Sequence, residues 1–205
     1  MLAYGVQKGD RRRKKSTYLL LLLLISVFAV CAAFLLWRVV EKAVDYFTRS
    51  TKYDGIIYTA GIRNGVDPYL IKAVIWRESR FDRTARGLKG EIGLMQIRPD
   101  FSAVDWAKAR GFEAPSRGAL FDPELNIEIG AWYLGKALRR HRFYRDSVAL
   151  ALCDYNAGAR RTDDWKPADP NASMQGRITI PSTRSYVEDI LAKYREYRRK
   201  ANLKE

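Results

Sequence analysis

The chain is poor in the residues that most metal and nucleophile chemistry requires. Its 205 residues include one histidine, His141, and two cysteines, Cys31 and Cys153. A single histidine inside a basic run (Arg139-Arg140-His141-Arg142) does not make a histidine-ligated metal centre. It also offers no clear activating base for a cysteine nucleophile, so a cysteine protease is a poor reading. No metal and no cofactor is expected. A disulfide framework is excluded as well, because Cys31 lies in a long apolar run and cannot meet Cys153. Cys153 reads as a small core hydrophobe. There are no internal repeats.

Charge is missing altogether from Tyr18 to Trp37, a run of twenty residues rich in leucine. As a helix it spans about 30 Å, the thickness of a bilayer's hydrocarbon core. A cleaved signal peptide has a shorter apolar region and a small-residue cleavage site. Here Ala29-Val30-Cys31 and Cys31-Ala32-Ala33 fall in the middle of the run. A lipoprotein reading of Cys31 fails on bulky Val30 before it and further apolar sequence after it. A buried globular helix is rarely apolar on every face. An uncleaved single-pass anchor is the expectation, with Trp37 and Arg38 at the interface. Six basic residues between Lys8 and Lys15 precede it, which places residues 1–16 in the cytoplasm and everything after Val40 outside.

The formal net charge is +14, and residues 41–205 retain 30 basic against 22 acidic side chains. Such a balance first suggests nucleic acid. No recognition motif accompanies it, and an outward-facing domain points instead to an anionic envelope polymer or lipid headgroups. A basic surface that serves only solubility accounts for most of these charges equally well.

Beyond the anchor the patterning is helical. Glu41 to Lys52 reads as a charged stalk, giving expected boundaries of 1–16, 17–40, 41–52 and 53–205. Ile56, Ile57, Ala60 and Ile62 predict a helix stopped by Gly65. Asp67-Pro68 is an N-cap followed by proline at the first helical position, and Asp122-Pro123 repeats it. Pro99-Asp100 opens a helix closed by Gly111, and Asp146 is expected to cap another. A last helix starts at Ser182 or Thr183. Gly87, Gly90 and Gly93 predict a loop whose backbone approaches something closely. Arg160 to Pro181 reads as a long functional loop with a small hairpin at Arg177-Ile178-Thr179-Ile180. Six or seven helices and almost no strand make the domain mainly α.

The helix after Asp67-Pro68 carries Leu70, Ile71, Val74 and Ile75 on one stripe, and the next position on that stripe is Glu78. A carboxylate facing a core has its pKa raised by desolvation, which prepares a general acid for neutral pH. A glutamate at a fraying helix end, turned to water or paired with Arg77 or Arg80, is the competing reading. Two loops offer compatible chemistry. Gly93-Leu94-Met95-Gln96 presents an amide beside an apolar pair. Tyr155-Asn156-Ala157-Gly158 presents a phenol and a second amide. Sugar rings are bound by such sets, although Asn-Ala-Gly also ends helices and Leu-Met also packs cores.

In order, Glu78-Ser79, Gly93-Leu94-Met95-Gln96, Asn126-Ile127 with Tyr133-Leu134, Tyr155-Asn156-Ala157-Gly158 and Thr183-Arg184-Ser185-Tyr186-Val187 resemble the soluble lytic transglycosylase family. That family shares the lysozyme-like fold with goose-type lysozymes, and the resemblance covers roughly Tyr53 to Tyr197. It implies a lysozyme-like catalytic domain and cleavage of the β-1,4 bond from N-acetylmuramic acid to N-acetylglucosamine in peptidoglycan. Glu78 would protonate the leaving oxygen and then act as base on the muramic C6 hydroxyl, closing a 1,6-anhydro ring without water. By motif match Met95, Gln96, Tyr155, Asn156 and Tyr186 would line the sugar cleft, and Ser79 would bond near the acetamido group or peptide stem.

Hydrolases commonly use two carboxylates, and a second is hard to find. Asp82 reads as solvent-facing or as a turn cap, and Asp154 alternates away from the tyrosine beside it. An intramolecular attack needs only one carboxylate and a well-held sugar. Two departures from the family pattern, Asp154 before the Tyr-Asn motif and Glu91 before Gly93, put extra acids near the cleft. The expected partners are peptidoglycan strands and a membrane, through the N-terminal helix, on the outer face of a bacterial inner membrane. Recruitment by a cell-wall synthesis, division or secretion complex fits that setting. A hydrolytic muramidase and a non-catalytic peptidoglycan scaffold are the alternatives.

Overall fold

The computed structural model describes residues 6–202, with side chains from Tyr18 onward apart from Leu20 and Tyr46. Residues 1–5 and 203–205, and the side chains of the basic Lys8–Lys15 segment, lie outside the described residues. The chain forms two compact units, Met1–Phe47 and Thr48–Glu205.

Helix α1 spans Val6–Lys52, so the expected anchor and stalk are one uninterrupted helix. Its apolar side chains are exposed on every face, as Leu23, Phe28, Leu35 and Trp37 show. Among the described residues it is the helix long and apolar enough to cross a membrane.

The second unit is helical: α2 (Asp54–Asn64), α3 (Pro68–Ser79), α4 (Val104–Arg110), α5 (Pro123–Arg140), α6 (Ser147–Ala157), α7 (Ala159–Trp165) and α8 (Pro181–Asn202). A π-helical turn, Pro99–Ala103, runs into α4, and a 3-10 turn precedes α5. Among the described residues the only β pairing is two isolated bridges, Arg86 with Ile92 and Ile92 with Ile97.

The starts of α3 and α5 follow from their caps. The Asp67 carboxylate accepts from Tyr69 N at 2.8 Å and Asp122 accepts from Leu125 N at 2.9 Å. Each satisfies an N–H that the first turn leaves unpaired. Gly65 and Gly111 end α2 and α4 in the left-handed region expected of them. The stripe Leu70, Ile71, Val74 and Ile75 is buried as its spacing requires, and α3 packs against α8 and α2. Helix α5 packs on α2 and α6.

Three local expectations fail. Residues 159–165 are helix α7 rather than loop, held by Thr162 and Trp165, which are both buried. Only these two residues face inward, so Arg-Arg-Thr-Asp-Asp-Trp shows no apolar stripe. Arg177–Ile180 forms no hairpin: Arg177 N bonds Met174 O in a turn, and the Arg184 guanidinium takes Ile178 O at 2.8 and 3.1 Å. Asp146 precedes α6 without capping it, because its carboxylate accepts from Met174 N at 2.7 Å instead.

Candidate functional site

Two consecutive left-handed residues, Arg80 (φ 53°) and Phe81 (φ 65°), end α3. Phe81 is fully buried and holds this turn. Glu78 is thereby fixed in the last turn, on the wall of a cleft of about 420 Å³. Its carboxyl keeps some contact with the open cleft, yet protein surrounds most of it. Burial lifts its pKa from 4.5 to about 7, against the Tyr186 hydrogen bond and the charge of Arg77, while Glu91 adds to the rise. The Tyr186 hydroxyl donates to Glu78 Oε1 at 2.6 Å.

Neither neighbouring arginine neutralises the carboxyl. Arg77 pairs with Asp189 at 3.1 Å and lies over the Tyr186 ring, and Arg80 stacks on Trp76 with its guanidinium 3.7 Å from the ring centre. The competing reading of Glu78, a solvated or arginine-paired helix end, is not what the structure shows.

The loop from Gly87 to Ile97 is held at several points, and Asn126 is one of them. Asn126, 1% exposed, accepts from Met95 N at 2.8 Å and donates to Ile92 O at 2.9 Å and Leu120 O at 2.7 Å. Gly93 sits at φ 79°, and a Cβ there would collide with the Asn126 amide. Gln96 is held at φ 50°, a conformation non-glycine residues seldom adopt, with Nε2 donating to Gly93 O at 2.8 Å.

From the other wall the Tyr155 hydroxyl donates to Met95 O at 2.8 Å, and the Tyr155 ring meets Tyr133 edge-on. The Thr183 hydroxyl donates to Asn156 Oδ1 at 2.8 Å, which leaves the amide N–H₂ as the donor available to a ligand.

The structure brings Glu78, Gln96, Tyr155 and Asn156 together in the cleft. It places the other three expected residues behind that surface. Met95 is fully buried against Gly130, where a side chain would clash with its sulfur, so its thioether offers no face to a sugar. The Ser79 hydroxyl lies 2.8 Å from Leu94 O and 3.2 Å from Ile75 O, tying α3 to the loop rather than facing a substituent. Tyr186 is 3% exposed and reaches the site only through Glu78.

The extra acids are committed. Asp154 is 6% exposed and bound by Arg140 at 3.1 Å and His141 Nε2 at 3.0 Å. Glu91 accepts from Lys89 N at 2.8 Å. Asp82 caps a turn, accepting from Thr84 N and Oγ1, and these bonds lower its pKa. Among the described residues no three His, Cys, Asp or Glu side chains cluster to hold a metal.

Sequence reasoning did not assign Lys89, Arg98, Phe101 and Arg161 to the cleft. They come from separate segments whose convergence has no local signal. A larger cavity of about 580 Å³ lies between α6, α8 and the 173–178 segment. It contains neither Glu78 nor the converging amides of Gln96 and Asn156, so chemistry favours the smaller cleft.

Comparison with known proteins gives the family. A family model described as the transglycosylase SLT domain matches residues 56–177. Membrane-bound lytic murein transglycosylase C of Cronobacter sakazakii is 27% identical over 175 residues, covering 74% of this chain and 48% of the relative. Its namesake from Photorhabdus laumondii is 40% identical over 103 residues, 49% of this chain and 29% of that protein. The chain thus spans about half the length, or less, of these curated relatives. Among solved structures, an inactive mutant of lytic transglycosylase Slt from Pseudomonas aeruginosa superposes with a TM-score of 0.66 at 26% identity, over 74% of this chain and 25% of that one. The 70 kDa soluble lytic transglycosylase of Escherichia coli gives 0.61 at 27% identity, over 71% and 24%. The chain belongs to the transglycosylase SLT domain family.

Proposed function

We propose that the chain is a membrane-anchored lytic transglycosylase. It cleaves the N-acetylmuramic acid–β-1,4–N-acetylglucosamine bond of peptidoglycan and leaves 1,6-anhydro ends. The observation that carries this is one largely enclosed carboxyl, Glu78, with a pKa near 7 and no cation bound to it, in a cleft whose other acids are occupied.

A group with that pKa is present in both protonation states at neutral pH, as an acid that must later act as a base requires. Protonated Glu78 delivers its proton to the glycosidic oxygen, and the departing sugar leaves an electron-poor C1. The resulting carboxylate accepts the proton of the C6 hydroxyl as that oxygen bonds to C1. The proton count closes on one residue, and no water is activated. Tyr186 stabilises the carboxylate between the two steps, and Gln96, Tyr155 and Asn156 hold the sugar whose own hydroxyl attacks. Ser79 and Met95 serve by holding α3 and the loop in register.

The names of the curated relatives and the inactivity of a glutamate-to-glutamine mutant of the Pseudomonas aeruginosa protein support this reading. Residues 1–16, 17–40, 41–52 and 53–205 then act as cytoplasmic segment, anchor, stalk and catalytic domain, with the domain on the periplasmic side of a bacterial inner membrane. Mass spectrometry of digested sacculi tests the reaction. Anhydro-ended muropeptides are expected, and reducing ends would make the enzyme a hydrolytic muramidase.

A further inference from the structure

We propose that Arg140 is a positioning residue for the cleft. It clasps the chain on both sides of the Tyr155-Asn156-Ala157-Gly158 turn and so fixes the direction in which Asn156 offers its amide to a sugar. This rests on the reading of the cleft as a glycan-cleaving site and adds the device that holds one of its walls.

The turn has little to hold it from within. Helices α6 and α7 are joined by Gly158 alone, at φ 86° and ψ 151°, a backbone conformation almost confined to glycine. The space where a Cβ would point is open, so conformation rather than crowding calls for glycine there. Helix α7 has seven residues and no side-chain cap on its first turn, too little to keep its own direction. Yet Asn156, Ala157, Gly158 and Arg161 all line the cleft. Whatever fixes the angle between α6 and α7 fixes that wall.

Arg140, at the end of α5, reaches both sides of the hinge. Its Nη1 lies 3.1 Å from each oxygen of Asp154 on α6, and its Nη2 donates to Asp163 Oδ2 on α7 at 2.6 Å. A planar guanidinium carries these donors at a fixed separation, so the two helices are held at a fixed separation too. Asp154 cannot swing away, because its side chain is 6% exposed and His141 Nε2 lies 3.0 Å from its Oδ2. Lys166 takes the other oxygen of Asp163 at 3.1 Å. From α8 the Thr183 hydroxyl sets the rotation of the Asn156 amide. The backbone of Asn156 is thus held from α5 and its side chain from α8. Asp154, the acid that departs from the family pattern, is the inner anchor of the clasp. The outer pair, Arg140 with Asp163, is 36% and 45% exposed, where an ion pair adds little stability. Its effect therefore falls on geometry.

The test uses the full chain in detergent and purified glycan strands, with kcat and KM read from fragment release. Arg140→Gln is expected to lower kcat about tenfold and to leave KM within about twofold, since a wall displaced by part of an ångström spoils orientation before contact. Asn156→Ala should lower kcat as well. Adding Arg140→Gln to it should cost no more than about twofold further, because the clasp acts through Asn156. A tenfold loss in both backgrounds, a loss carried by KM alone, or parental kcat in Arg140→Gln would overturn the proposal. Arg140→Lys guards against a folding defect: its ammonium still pairs with Asp154 but has no fork to reach Asp163 as well. This variant should melt with the parent and keep less than about a third of its kcat. Parental kcat in it would overturn the clasp even if Arg140→Gln does not fold. Reducing ends from the parent would overturn the transglycosylase reading, while the same rate ratios still decide the clasp. A parent that releases no fragments would sink both.

Discussion

Glu78 and Glu128 are both glutamates held largely within the protein, each on the inward side of a helix, and their surroundings make them opposites. Glu128 on α5 is 7% exposed and sits between two cations, Arg63 at 3.1 Å and Arg110 at 3.1 Å, with the neutral Asn64 amide donating at 3.3 Å. Those bonds clasp α2 and α4 to α5. Glu78 on α3 has burial without the cations; among the described residues a phenol is its one side-chain hydrogen-bond partner, and the nearest arginines are engaged elsewhere. Burial with paired charge makes a structural joint. Burial without it makes a carboxyl that keeps its proton to neutral pH. The fold uses one residue type for both purposes, and only the placement of arginine separates them.

That contrast breaks most visibly in activity. Glu78→Gln should lower digestion of sacculi by about 10³-fold, within the range for loss of a general acid and base, while Glu128→Gln should leave the chemistry intact in folded protein. Stability should respond in reverse. Glu128→Gln uncovers Arg63 and Arg110 and should cost about 2 kcal/mol in a urea titration. A fully buried pair would lose more, but the Arg63 side chain is 50% exposed.

Glu78→Gln should instead stabilise the fold at alkaline pH. A carboxyl raised from 4.5 to about 7 holds its proton more tightly when folded, so its contribution is complete below pH 4.5 and is lost as pH rises through 7. Glutamine has no proton to lose. At pH 8 the variant should gain about 1–2 kcal/mol over the parent, and in acid none, as read from thermal melting. The smallest effect is that of Tyr186→Phe. Its hydroxyl lowers the Glu78 pKa, so removing it should move the alkaline limb of the pH–rate profile upward.

What could be read from the chain was whatever is local. The two Asp-Pro caps act across two or three residues, and Glu78 continues a stripe that its own helix defines. The expectations that failed depended on partners far away. Met95 looked like a sugar-facing thioether, but Gly130, on another helix, leaves the space its sulfur fills. Ser79 looked free until the Leu94 carbonyl took its hydroxyl, fifteen residues on. Helix α7 was hidden because it buries only Thr162 and Trp165. Tyr186 was legible through resemblance alone, and nothing in its neighbourhood announces a bond to a residue 108 positions away. Asp154 looked like a spare acid near the cleft, and it is held by a histidine and an arginine from the end of α5 and just beyond it.

The comparison rests finally on the proton of Glu78. Carbon-13 labelling of glutamate side chains, with Glu78→Gln to assign the resonance, would follow that carboxyl through a pH titration of the folded chain. A resonance that is absent from the variant and titrates near pH 7 in the parent is the expected result. A midpoint at the ordinary value of 4.5 would mean that burial is compensated after all, and that Glu78 is not the proton store described here.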